Sequence, residues 1–114
     1  MRYVPLQYNS DFTRAYKRGK PYVHAYTVLY VNKNRLGHTR VGITASKKVG
    51  NAVARNRARR VLREALYQTL PQDVGGYDLV FVARALTARI KSTQAARATA
   101  KLLSAAGLVP KAQP

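Results

Sequence analysis

Between residues 22 and 46 apolar positions fall on every second place, and from residue 52 they recur every third or fourth. That change of period predicts strands followed by a long helix. A first strand is expected over Tyr22 to Val31, with Val23, Ala25, Thr27, Leu29 and Val31 on a plain core face. Its other face would carry Tyr22, His24, Tyr26, Val28 and Tyr30, aromatic and partly polar. After the loop "NKNRLGH", a second strand "TRVGITAS" alternates Val41, Ile43 and Ala45 with Arg40, Gly42, Thr44 and Ser46. A connection of that length predicts an antiparallel hairpin between the two.

Ser10 is a candidate cap for a short helix, "DFTRAYKRGK", stopped by Gly19 and Pro21, with Phe12 and Tyr16 one turn apart on one face. The long helix is expected over about 52–70. Ala54, Ala58, Val61, Leu62, Ala65, Leu66, Thr69 and Leu70 line up in an apolar stripe. Asn56, Arg60, Arg63 and Glu64 lie opposite, with Arg55, Arg57 and Arg59 toward the borders. Pro71 and the Gly75-Gly76 pair end it; "YDLVFVAR" reads as a mostly buried strand, and an Ala-rich helix runs from Ser92 to Ala106 with Gly107 as its stop. The expected fold class is α+β: one domain over residues 1–114, an α-β-β-α-β-α two-layer sandwich with a central sheet packed by helices, and a mobile tail from about residue 108.

Charge adds a partner to this picture. Lys and Arg number 21 against 4 Asp and Glu, a formal +17, with no cysteine. Such a field suits a polyanion, and nucleic acid comes first, because each phosphate contact releases condensed counterions. No apolar run is long enough to cross a bilayer and "MRYVPLQYNS" lacks the apolar stretch of a secretory signal, so a cytoplasmic protein with no membrane partner is expected. His24 and His38 stand alone and the four acids are scattered, which leaves neither a metal site nor a nucleophile with a base. The expectation is no catalytic residue on the protein and no metal.

The stretch "SKKVGNAVARNRARRVLRE" gathers seven cations. A solvated helix face ordinarily mixes signs, but Arg55, Arg59 and Arg63 repeat at i,i+4 with no carboxylate between them. Each such pair costs roughly 0.2–0.5 kcal/mol in an isolated helix, a cost that phosphates of a partner offset. The predominance of Arg favours two-donor contacts to phosphate. "VGN" lacks the spacing of a Walker loop, so no nucleoside triphosphate is expected. The aromatic face of the first strand, with Arg40 beside it, has two readings: a second core face, or a platform on which unpaired bases stack.

Together these pieces resemble the protein subunit of bacterial ribonuclease P, the ribonucleoprotein that removes the 5′ leader of precursor tRNA. The resemblance is carried by "SKKVGNAVARNRARRVLREAL", which is similar to that family's RNR signature at Arg55-Asn56-Arg57, and extends through "SDFTRAYKRGK", "YTVLYV", "TRVGITAS" and "YDLVFVAR". It implies hydrolysis by an RNA subunit with magnesium ions of the holoenzyme, one protein per RNA. It also implies that Lys47, Lys48, Asn51, Arg55, Asn56, Arg57, Arg59, Arg60 and Arg63 face the catalytic RNA. Phe12, Tyr16 and Tyr30 match the aromatics of a cleft for the single-stranded leader; Tyr22, His24, Tyr26, Arg40 and Arg84 are grouped with them as leader-binding. Tyr16 stands where Phe is usual, and His24 where a polar amide is common. The family fold implies a left-handed crossover between the strand ending near Ser46 and that beginning near Tyr77, where general sterics favour a right-handed one. Two other classes are compatible with the charge: a ribosomal or general RNA-binding protein, and a self-sufficient metal-dependent nuclease, which four scattered acids scarcely supply.

Overall fold

The computed structural model describes residues 4–71 and 75–108. The tail, beyond Leu108, lies outside the described residues. The elements are β1 (Val4–Pro5), α1 (Asn9–Arg18), β2 (Lys20–Val23), β3 (Thr27–Lys33), β4 (Arg40–Thr44), α2 (Ala52–Thr69), β5 (Tyr77–Ala83), a 3-10 turn (Ala85–Arg89) and α3 (Ser92–Ala105). The five strands form one mixed sheet in the order β1-β4-β5-β3-β2. The α+β class and the helix-packed sheet are as expected, and the structure adds β1, β2 and the 3-10 turn.

β5 decides the arrangement. Leu79 and Phe81 face one side and Val80 the other, and all three are fully buried. A strand that is apolar on both faces is stable only at the centre of a sheet. β5 therefore sits between β3, to which it runs antiparallel, and β4, to which it runs parallel. This overturns the expected hairpin: the strands flanking "NKNRLGH" are not partners, because the chain between them steps over the end of β5, where Asn34 N–H bonds Gly76 O at 2.7 Å.

The expected single strand over Tyr22–Val31 is two strands. β2 and β3 pair antiparallel, with Val23 opposite Val28 and Tyr22 opposite Leu29. His24 N–H bonds Thr27 O at 3.0 Å to close the turn. Three further contacts hold that turn. Tyr26 N–H donates to His24 Nδ1 at 3.1 Å, the Thr87 hydroxyl donates to Tyr26 O, and Arg84 Nη1 donates to His24 O at 3.3 Å.

α2 and α3 cover one face, and their buried side chains, Leu62, Leu66, Leu102 and Leu103 among them, form the main core with Leu29, Val41, Leu79 and Phe81. The expected stripe is the one that docks: Ala58, Val61, Leu62, Ala65 and Leu66 are buried. Asn51 caps α2, its side-chain oxygen accepting from Ala54 N–H at 2.9 Å. Gly107, at φ 77°, lets Leu108 N–H reach back to Leu103 O at 2.9 Å and end α3, as its sequence position predicted. α1 lies across the opposite face, where Leu6, Ala15, Phe12 and Tyr30 gather around Val80 and Val82. It starts one residue before Ser10, after Tyr8, so Ser10 is in the first turn and is not the cap.

Candidate RNA interface

Two surfaces with different chemistry emerge on the two sides of the sheet. On the α2 side, Asn56, Arg57, Arg60 and Arg63 are exposed, Arg55 and Arg59 are half-buried, and Lys47 and Lys48 are exposed in the turn before the helix. Two of the arginines have work inside the protein. Arg57 Nε donates to Ala88 O at 2.7 Å and its Nη2 to Ile90 O at 3.4 Å, tying α2 to the end of the 3-10 turn. Arg59 donates to Asn56 Oδ1 at 3.0 Å. Arg60 and Arg63 flank a shallow depression of about 340 Å³ with Glu64, Tyr67 and Gln68.

On the α1 side, Phe12 and Tyr16 meet Tyr30 over the sheet. The Tyr16 and Tyr30 rings stand edge to face, 5.1 Å apart at 78°, and Tyr16 remains 41% exposed. The Tyr16 hydroxyl lies 3.4 Å from Thr44 Oγ1. Room for Phe12 comes from Gly42: a Cβ there would lie 2.3 Å from Phe12 Cε1. Gly42→Ala should therefore expel the ring and cost ~1–3 kcal/mol. A thermal melt checks this, and the alanine should cost less in a Phe12→Leu background.

Of the five residues grouped by sequence with this cleft, four occupy other places and the fifth is tied up in the scaffold. Tyr22 lies on the opposite face, packed with the Leu29 core, and Tyr26 packs against Val61, Ala65, Ile90 and Ala95. With His24 in the turn, the one-strand alternation that put all three beside Tyr30 is broken. Arg84, just past β5, holds the turn through His24 O. Arg40 is on the cleft's face but is engaged: Nε and Nη2 grip Asp78 at 2.9 and 2.8 Å, and Nη2 reaches Asp11 on α1 at 3.4 Å. Burial pushes the Asp78 carboxyl up, but hydrogen bonds from Arg40 and Asn34 and the nearby charges of Arg40 and Arg14 outweigh it and hold it below the usual value. The Arg40 guanidinium, bonded to Asp78, is raised in turn. This Asp11–Arg40–Asp78 bridge clamps α1 to the sheet, and sequence reasoning missed it because its members are far apart along the chain.

Fold and surfaces define a small basic α+β protein with a cationic helix face and an aromatic cleft, the equipment of an RNA-binding subunit. A model of the Ribonuclease P family matches residues 2–107, and the chain belongs to that family. It is thus a protein subunit of the endoribonuclease of tRNA 5′ maturation. It is 46% identical over 80 residues to the ribonuclease P protein component of Clostridioides difficile, covering 69% of this chain and 70% of that one. With its counterpart from Clostridium beijerinckii it shares 39% over 110 residues, 90% and 88% of the two chains. The Staphylococcus aureus RNase P protein superposes with a TM-score of 0.77 at 30% identity, over 91% of this chain and 95% of that one. The Thermotoga maritima protein does so with 0.75 at 28%, over 89% and 96%.

Proposed function

We propose that this chain grips the catalytic RNA of ribonuclease P with the outer face of α2 and holds the 5′ leader of precursor tRNA in the cleft of Phe12, Tyr16 and Tyr30. The observation that carries this reading is the pairing of two chemically distinct surfaces on one sheet. Exposed Arg60 and Arg63, with Lys47 and Lys48, suit the phosphates of a folded RNA, which is recognised by shape and backbone. The half-open Tyr16–Tyr30 pair suits unpaired bases, each stacked base contributing ~1–3 kcal/mol. Asn51 acts through its cap, fixing where α2 begins; Arg57, Arg59 and Asn56 hold the helix and its neighbours in place beneath the phosphates.

The described residues do not suit a magnesium ion held by the protein. Asp11 and Asp78 direct their oxygens at Arg40, and Glu64 stands on α2 among Arg60 and Arg63. Among the described residues no three metal-ligating side chains come together. In this reading the magnesium ions of the holoenzyme are held by its RNA, one protein serves each RNA, and the complex works in the cytoplasm. What the chain itself does is bind and position.

Reconstitution with a bacterial ribonuclease P RNA at low magnesium tests the reading. The protein should stimulate cleavage of precursor tRNA, and Phe12→Ala should lower the preference for precursor over mature tRNA about fivefold or more, as expected for one lost stacking partner. Absence of stimulation would sink it. RNA binding that ignores the leader would point to a general RNA-binding protein instead.

A further inference from the structure

Two of the residues that the β2–β3 turn removes from the cleft do not vanish into the core. His24 and Tyr26 line a separate depression of about 280 Å³ against α3, with Gln94, Arg97, Ala98 and Lys101 as its other wall. The two rings are 5.2 Å apart and tilted by 49°. Tyr26 is fixed from behind by Val61, Ala65, Ile90 and Ala95, so its ring is a rigid surface. His24 Nδ1 accepts Tyr26 N–H, which places the proton of the neutral ring on Nε2 and leaves that atom a donor. Arg97 and Lys101 are one helical turn apart on α3, both exposed, and α3 contains no acid to neutralise them.

We propose that this pocket binds one nucleotide of single-stranded RNA, and that the nucleotide belongs to the precursor's 5′ leader, beyond the part held in the cleft. The chemistry is a ring for the base and two cations for the flanking phosphates. At about 280 Å³ the depression is just under the ~300 Å³ at which small-ligand pockets begin, so it is matched to a single nucleotide rather than a run of them. The source follows from position. Tyr30 and Val28 share the cleft's face of β3, and Val28 lies opposite Val23, the last residue before the turn. A strand leaving Tyr30 along that row travels roughly 7 Å to Val28, at ~3.3 Å per residue, and meets the turn that carries His24 and Tyr26. Arg84 is exposed at that corner, its guanidinium on His24 O, and offers a cation to the backbone as it passes. The path thus runs from cleft to corner to pocket.

This inference rests on the leader reading of the cleft, and the test separates the two. Holoenzyme reconstituted with wild-type protein or with Arg97→Ala/Lys101→Ala is titrated with precursors whose leaders grow one nucleotide at a time, and affinity is read as the ratio between longer and shorter leaders. In the wild type, affinity should rise about fivefold once the leader passes the length that fills the cleft. In the double variant that second rise should be lost, whatever happens to overall affinity. His24→Ala should reduce it by a smaller factor. A second rise of undiminished size in the double variant overturns the proposal, and so does a wild type with only the first rise. A wild type that binds precursor no better than mature tRNA overturns the cleft reading itself.

Discussion

Asp78→Ala should destabilise the domain by ~3–5 kcal/mol, because it leaves the Arg40 guanidinium in a largely enclosed site without its main counter-charge. The Arg40 and Asp78 side chains are 19% and 3% exposed, and the contacts between them, at 2.9 and 2.8 Å, are shorter than those Arg40 makes to Asp11. Asp11 cannot substitute, since its oxygens stand 3.4 and 3.5 Å from Arg40 and also serve Arg14. For a domain of this size the melting temperature should fall by roughly 10–20 °C. The pH dependence gives a second signature. The folded-state value of Asp78 lies below its ordinary 3.8, so its contribution is complete above that value and is lost as pH falls through the lowered one. The gap between wild type and Asp78→Ala should therefore be constant near neutrality and narrow in acid. A gap that persists unchanged to about pH 2 would mean that something other than the ionised pair sets it. Because the same bridge fastens α1, residual folded Asp78→Ala protein should also bind leader poorly, although Asp78 is not a cleft residue.

How much of this was legible in the sequence depends on whether the stabilising partner is local. α2 was readable almost to the residue, since its amphipathic stripe is encoded within a few turns; that Asn51 caps it is what the structure adds. Gly107 likewise announces the end of α3, because only a residue at ease with positive φ fits there. The turn at His24–Thr27 was not readable. It contains no Gly, Asn or Pro, and it is held by Thr87 and Arg84, some sixty residues away. With the turn unseen, the alternation ran on through it and assigned Tyr22, His24 and Tyr26 to the wrong face. β1 was invisible for another reason: two residues, one a proline, tolerated because they pair at a sheet edge with β4. Arg40 shows the same limit in the site. Beside an aromatic row an arginine reads as a ligand contact, and only the distance to Asp78 shows that it holds the scaffold.

The basic face of α2 yields the other large effect, and the structure divides it among arginines that the sequence treats alike. Arg60→Ala/Arg63→Ala removes two exposed cations whose side chains lie over a solvent-open depression. Its melting temperature should stay close to wild type, since surface changes of this kind fall within about 0.5 kcal/mol. Its affinity for ribonuclease P RNA should drop tenfold or more, roughly, and the slope of log affinity against log salt should flatten by about two, one for each lost phosphate contact. Arg57→Ala should behave differently. Its guanidinium satisfies Ala88 O and Ile90 O, so its removal should cost about 1.5–3 kcal/mol in the free protein, as for other charged hydrogen bonds. Because the 3-10 turn holds the β2–β3 corner through Thr87, that loss should also loosen the wall of the α3 pocket. The comparison is therefore a melt and a salt titration on each variant. If Arg57→Ala melts like wild type while flattening the salt slope as steeply per residue as the Arg60/Arg63 pair, the tether to Ala88 is not what that arginine contributes. If it melts early with a nearly wild-type slope, the second arginine of the Arg55-Asn56-Arg57 motif is a brace, and the phosphates are held by its neighbours.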